Sequence, residues 1–401
     1  MMPSGKVNKG GMAMKISNRI ASINGGGSDG WGVFLRARDM IAAGKPVIEL
    51  TIGEHDIRTD PIIIDAMFAS AKSGNTVYSA VPGSPALRAE IAARYQRLTG
   101  VETSVGNVLV TSGGQAALFS AHLAALNAGD TGLICDPYYA TYPGVLRAAG
   151  AVVKSVPTRS SENFLPQRSA LAAAAKGAKS LLINSPNNPT GVVYPIETMQ
   201  MIADVCIGHD LWLISDEVYD SQIWEGEHIS PRSLPGMAER TLVVGSMSKS
   251  HAMTGSRIGW IIGPEEIIGQ IMNLSTVNAY GVPGFIQDAA EFALKQGPEF
   301  EAKVGDVFHR RTEMSREILQ RTNALRLIPA QGAMYLMLDV RNTGMSGEQF
   351  ANKLLDEELI AVMPGESFGK SAAGHVRVAM TIADAPFVKA LKRLVEFAER
   401  Q

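Results

Sequence analysis

Between Val108 and Ile262 the chain repeats one pattern: a short apolar run, a polar or glycine-bearing turn, then a helical stretch. The apolar runs are Val108–Thr111, Gly132–Cys135, Val152–Val156, Ser180–Asn184, Trp212–Ser215, Thr241–Gly245 and Trp260–Ile262. Helical periodicity falls at about 115–127, 138–149, 167–175, 195–209 and 264–278. Strands that alternate with helices pack as βα units, so the pattern predicts an α/β unit with a largely parallel sheet. In such a sheet the ligand crevice lies outside the carboxyl ends of the strands. The chemistry is therefore sought in the turns that follow the apolar runs.

Upstream, Asn24–Gly30 reads as a flexible loop, and Trp31 and Phe34 open a helix to about Ala43. Pro46–Ile52 reads as a short strand ending at Gly53-Glu54-His55-Asp56. Pro61–Ser73 and Pro85–Leu98 read as helices, with Tyr78 alone in an exposed-looking loop between them. Downstream, a helix-rich link over 285–320 leads to strands near Met334–Val340 and Val376–Met380 and helices near 346–357 and 384–400. The predicted organisation is a flexible leader over 1–15, then an N-terminal arm and part of a small domain over 16–60. A large domain over 61–295 and a C-terminal small domain over 296–401 follow. A chain of 401 residues with 46% hydrophobic content sustains two such cores.

A net charge of −2 gives no reason to expect nucleic acid or an anionic membrane as partner. No apolar run approaches the roughly 20 residues of a membrane span. The basic leader lacks the apolar core of a signal peptide. Cys135 and Cys206 lie in apolar runs without metal-type spacing, so reduced, buried thiols, a cytoplasmic setting and no bound metal are expected.

The sharpest chemistry lies in Thr241–Gly263, TLVVGSMSKSHAMTGSRIGWIIG. Apart from His251, Lys249 and Arg257 are its only titratable residues. A lysine among glycines, hydroxyls and apolar residues loses solvation, and the neutral amine attacks carbonyls. A Schiff-base lysine is one reading; a solvated lysine at a strand end is the other. After Val108–Thr111, Ser112-Gly113-Gly114-Gln115 opens a helix, as a phosphate cup or as an ordinary βα turn. Tyr139, in Asp136-Pro137-Tyr138-Tyr139, stacks on a flat ring or packs in the core. Ser185-Pro186-Asn187-Asn188-Pro189-Thr190-Gly191 is a stiff turn with amide donors. Asp216, in Asp216-Glu217-Val218-Tyr219, ends a buried strand, where a carboxylate needs a partner: a protonated ring nitrogen, or a base such as Arg257. Together these clusters supply an amine, a carboxylate for a ring nitrogen, ring-oxygen donors, a stacking aromatic and an anion cup. Pyridoxal 5'-phosphate uses all of them.

In SMSKSHAMTGSRIGW, SPNNPTG and SDEVY the chain resembles the class I/II aminotransferases, the fold-type I pyridoxal-phosphate enzymes related to aspartate aminotransferase. The resemblance covers nearly everything from Ile16 onward. It implies a three-layer α/β fold with a mostly parallel seven-stranded sheet plus a smaller α+β domain. It implies that Lys249 forms the Schiff base and shuttles the substrate's α-proton, and that Asp216 pairs with the pyridinium nitrogen. Asn188 and Tyr219 would bond the ring's phenolic oxygen and Tyr139 would stack on the ring. Gly113, Gly114 and Gln115, with Ser246 and Arg257, would hold the phosphate. Tyr78 would reach the phosphate of a partner subunit, making a homodimer with shared sites. Arg377 would fork the substrate α-carboxylate, and Gly53 and Asn188 would lie against the substrate. The activity implied is amino transfer between an L-amino acid and a 2-oxo acid.

The sequence also departs from the family pattern. His55 takes a proline position and leaves an imidazole near the mouth, and Ser256 replaces a tryptophan beside the phosphate site. Asn278–Phe285 holds no arginine, which counts against dicarboxylate preference. The stretches DEVY…GEHISPRSLPGMAERT, SMSKSHAMTGSRIGW and FIQDAA look most like arginine–pyruvate transaminases, with aspartate or another amino acid and 2-oxoglutarate as the other substrate option. Asp29, Glu54 and Asp56 are candidate attractors for a cationic substrate, or ordinary loop carboxylates. A pyridoxal-phosphate C–S lyase on the same fold is the alternative enzyme. An aminotransferase-like regulator is a remote alternative, with little chain before Ile16 for a DNA-binding domain.

Overall fold

The computed structural model describes residues 14–25 and 30–401. Residues 1–13 of the predicted leader, and 26–29 with Asp29, lie outside the described residues. In chain order the strands are β1 (Ile48–Glu49), β2 (Val108–Thr111), β3 (Thr131–Asp136), β4 (Val152–Pro157), β5 (Ala178–Asn184), β6 (Trp212–Asp216) and β7 (Thr241–Ser246). They continue as β8 (Gly259–Ile262), β9 (Arg326–Leu327), β10 (Tyr335–Asp339), β11 (Ile360–Ala361), β12 (Met363–Pro364) and β13 (His375–Ala379).

A seven-stranded sheet takes the order β2-β8-β7-β6-β5-β3-β4. It is parallel except for β8, which runs antiparallel to both β2 and β7. Apart from the largely exposed edge strand β4, its strands are mostly apolar on both faces because helices cover both. Ile134, Leu182, Ile214 and Leu242 pack with Leu118, Leu146 and Ile268 from helices Gly114–Ala125, Tyr142–Ala148 and Glu265–Asn278. On the opposite face Leu181, Ile183 and Leu213 meet Leu171 and Ile202 of helices Arg168–Ala175 and Ile196–Gly208. Further along that face Val108, Val243 and Trp260 meet Ile63, Ile91 and Ala290 of helices Pro61–Lys72, Pro85–Thr99 and Gly284–Leu294.

A second sheet, β12-β13-β10-β9, is antiparallel. It shares a core with helices Pro298–Leu319, Gly347–Glu358 and Asp384–Glu399 through Phe308, Phe350 and Phe387. β1 pairs in parallel with β11. The segment after β1 is tied to the same unit, because Ala379 donates its amide to Leu50 and Thr381 its hydroxyl to Ile52.

One helix differs from expectation. The helix predicted over 138–149 begins at Tyr142. The backbone of Tyr138 is instead spent on a hydrogen bond to Phe368 of the C-terminal unit, and Pro143 fits the first turn of the helix that follows. The helix-rich link over 285–320 forms as expected, as two helices broken where Gly297 adopts φ +80° ahead of Pro298.

Candidate active site

The carboxyl ends of β5, β6 and β7 place Asn184, Asp216 and Ser246 along one edge. Asn184 pairs in register with Asp216, and Asp216 with Val244. One helical turn after β7, Met247–Ser250, lifts Lys249 over that edge. A cavity of about 230 Å³ opens there. It gathers Gly53, Gly114, Gln115, Tyr139, Asn188, Asp216, Tyr219, Ser246, Lys249, Arg257 and Arg377, which span nearly the whole chain length. Gly113 sits behind this lining, where a Cβ would lie 2.5 Å from the Arg257 guanidinium. Tyr78 does not join it: it stands 87% exposed on the surface, edge-on to Tyr280.

The electrostatics at the cavity floor are unusual for a protein interior. Burial, with the charges of Arg377 and Arg257 adding to it and that of Glu54 opposing, pulls the Lys249 ammonium down to about 8. Lys249 Nζ donates to the Gly53 carbonyl. Burial pushes the Asp216 carboxyl up to about 6. That carboxylate accepts from Tyr142 Oη at 2.6 Å and from the Val218 amide at 3.3 Å, and pairs with no basic side chain among the described residues. The alternative of an Asp216–Arg257 bridge is not what forms; Arg257 Nη1 donates to the Thr254 carbonyl at 2.8 Å.

Arg377, on β13, enters from the second sheet. Its guanidinium is sandwiched between the rings of Tyr335, at 4.5 Å, and Phe368, at 4.4 Å. Nη1 donates to Asn188 Oδ1 at 2.8 Å, Nη2 to the Thr51 carbonyl, and Nε is buried without a partner. Burial lowers its affinity for its proton, and no carboxylate among the described residues balances its charge. A buried guanidinium held open in this way suits a carboxylate ligand. Opposite it, helix Gly114–Ala125 begins without a side-chain cap, so its first amides face the cavity beside Arg257.

Several residues here were not legible beforehand. Tyr142 holds Asp216. Tyr335 Oη lies 2.9 Å from Tyr219 Oη, and Asn188 Nδ2 donates to it at 3.4 Å. Buried Gln222 donates to the Lys249 carbonyl at 3.1 Å. For Tyr142 the available signal was a third tyrosine placed directly before Pro143, at a helix start. For Tyr335 there was none, since GAMYLML reads as plain strand. His55 is not at the mouth: it is buried edge-on to Phe308, 5.1 Å between centroids, and burial drives its imidazole down to about 3. Asp56 is taken by a two-pronged ion pair with Arg311, at 2.9 and 2.7 Å.

The family model for aminotransferase class I and II matches residues 45–394. This chain is a class I/II aminotransferase. It is 40% identical over 383 residues to the arginine–pyruvate transaminase of Pseudomonas aeruginosa, covering 95% of this chain and 97% of that one. It is 34% identical to the aspartate/prephenate aminotransferase of Thermus thermophilus, over 91% of this chain and 94% of the other. Among solved structures, Thermus thermophilus aspartate aminotransferase with maleate superposes with a TM-score of 0.89 at 32% identity, covering 96% and 99% of the two chains. The aminotransferase cofactor is pyridoxal 5'-phosphate. The cavity fits it: an amine, a buried carboxylate lacking a cation, and an uncapped helix start beside an arginine converge in one place.

Gly259 keeps that helix start in position. A Cβ there would lie 2.7 Å from the Gly245 carbonyl and 2.8 Å from the backbone of Gly113 and Gly114. In this aminotransferase Gly259→Ala is expected to shift the turn and weaken pyridoxal phosphate binding by at least about tenfold. Fluorescence titration of the cofactor-free protein measures this, and unchanged affinity would show that the turn absorbs the methyl.

Proposed function

We propose that this enzyme transfers an amino group from an L-amino acid, arginine in the first instance, to pyruvate. The observation that carries the residue assignments is that Lys249, Asp216 and Arg377 meet in one buried cavity although none balances the charge of another by direct contact. In this reading the neutral Lys249 amine would hold the cofactor through its aldehyde and, once free, would take the proton from the substrate's α-carbon. Its depressed pKa keeps a useful fraction of the amine neutral near neutral pH. Asp216 would hold a proton on the ring nitrogen. Bound there, the cofactor supplies an electron-withdrawing ring that acidifies the α-carbon. Asn188 and Tyr219 would donate to the ring's phenolic oxygen, and Tyr139 would cover the ring. The amides of Gly114 and Gln115, with Gly113, Ser246 and Arg257, hold the phosphate. Arg377 orients the substrate α-carboxylate, and the Gly53 backbone and Asn188 confine it.

Arginine as donor rests on the similarity to the Pseudomonas aeruginosa enzyme and on the lack of arginine in 278–285. Glu54 supports it: exposed, it accepts from Thr254 at 3.2 Å, and its charge acts on Lys249. Asp56 does not, being held by Arg311. We also place the enzyme in the cytoplasm as a homodimer. Phe68, Val77, Tyr78, Val277 and Tyr280 are exposed apolar residues, and Tyr78 and Tyr280 pack edge-on against each other, a surface a second copy would cover. Tyr78 would there reach the partner's phosphate site. Cys135 and Cys206 are free and buried, in keeping with a reducing compartment.

The test is a half-reaction screen. The loaded protein is mixed with single amino acids while its near-visible absorbance is followed. Arginine is expected to bleach it faster than aspartate. If arginine, lysine and ornithine fail while aspartate or an apolar amino acid succeeds, the donor assignment is wrong. Ammonia and pyruvate released from a cysteine conjugate without any oxo acid would instead make the protein a C–S lyase.

A further inference from the structure

Asp216 is 4% exposed, and its charge must survive in the cofactor-free protein if it is to receive a protonated ring. The groups around it differ in what they offer. Lys249, beyond β7, favours its ionised form, whereas neighbouring Glu217 opposes it. Glu217 is itself engaged elsewhere, by His228 Nε2 at 3.0 Å and Ser230 Oγ at 2.7 Å. The Asn184 amide serves the Asp216 backbone carbonyl, at 2.9 Å, and not the carboxylate. Tyr139 and Tyr219 also stand near, and Tyr219 Oη is engaged with Tyr335. The short side-chain hydrogen bond to the carboxylate comes from Tyr142 Oη.

Tyr142 has the stiffness for such a role. It is 3% exposed, starts helix Tyr142–Ala148, meets Tyr139 edge-on at 5.6 Å between centroids, and its own phenol is driven well above the usual range by burial and by Asp216. It therefore donates and does not ionise.

From this geometry we propose that Tyr142 is a positioning residue for Asp216: its hydroxyl keeps the carboxylate ionised and aimed before and after the cofactor binds. This rests on the assignment of Asp216 to the ring nitrogen. A hydrogen bond to the ionised form favours that form, so its loss raises the carboxyl pKa. As pH falls, Asp216 takes a proton and can no longer receive the charged ring, so ring-phosphate affinity drops. Without the Tyr142 hydroxyl this drop comes at higher pH.

The experiment titrates cofactor-free protein with 4'-deoxypyridoxine phosphate, which has no aldehyde and so leaves Lys249 chemistry aside. Affinity is measured between pH 5 and 8.5 for the wild type, Tyr142→Phe, Asp216→Asn and the double variant. The probe's own phosphate titrates in this range, but equally for every variant. Expected is an upward move of the acid midpoint by about one pH unit in Tyr142→Phe. No further effect of the tyrosine substitution is expected once Asp216 is asparagine. A uniform loss of affinity with an unmoved midpoint, or the same loss in both backgrounds, would make Tyr142 a packing residue and overturn the proposal. Failure of the wild type to bind the probe would overturn the cofactor-site assignment itself, and this proposal with it.

Discussion

Replacing Lys249 with alanine is expected to cut amino transfer by about 10⁴-fold or more, because in the proposed mechanism it removes both the covalent attachment point and the base for the α-proton. Alanine also leaves the Gly53 carbonyl without the Lys249 donor. The fold should survive, since the strands on either side of Met247–Ser250 are held by their own register. The covalent step has a pH signature in the wild type. With the ammonium lowered to about 8, loading of cofactor-free protein by pyridoxal phosphate should speed up as pH rises to about 8 and then level off. At pH 7 about a tenth of the amine is neutral, against well under a thousandth for a solvated lysine. Stopped-flow absorbance on wild type and Lys249→Ala measures both effects. A variant that still turns over normally would remove Lys249 from the mechanism.

Arg377→Lys should spare the cofactor and damage substrate capture. The guanidinium stays between Tyr335 and Phe368 because a flat cation suits two ring faces, and its fork matches a carboxylate. Lysine keeps the charge but loses the plane, the fork and the bonds to Asn188 and Thr51. The expected result is a fall in kcat/KM of about 10²–10³-fold, mostly through KM for both amino and oxo acid. Pyridoxal phosphate affinity should change little. Equal losses in cofactor and substrate binding would mean that Arg377 mainly supports the surrounding structure.

Much of this site was legible because its main parts occupy strand ends. Ser246 and Asp216 close their strands, and Asn188 and Lys249 follow soon after theirs, so locating apolar runs located the chemistry. The strand boundaries for β2, β7 and β8 needed only chain-local information, the apolar pattern and its turns. Contacts between distant segments were a different matter. The Tyr142–Asp216 bond joins residues 74 apart, and Tyr335–Tyr219 residues 116 apart, and neither pairing leaves a periodic trace. His55 was misjudged for the same reason: its burial depends on Phe308, far along the chain. Asp56 looked free in sequence because its partner Arg311 belongs to the long helix Pro298–Leu319. The shortened helix at Tyr142 has a tertiary cause too, the hydrogen bond from Tyr138 to Phe368.

Gly53 and Arg377 share an anchorage that the residues proposed to face the cofactor lack. The strand leading to Gly53 is bonded to β11 and to the end of β13, the strand that carries Arg377. Asp216, Lys249 and the Gly113–Gly114 turn belong to the seven-stranded sheet. Apart from Asn188, which the proposed mechanism gives to both, the two halves of the reaction's demands thus sit on separately encoded stretches of chain. Random substitution confined to 46–56 and 326–380, with Gly53 and Tyr335 kept because they contact Lys249 and Tyr219, can retune which amino acids are accepted while leaving the proposed coenzyme grip in place. A laboratory selection for new donors should find most of its winners there.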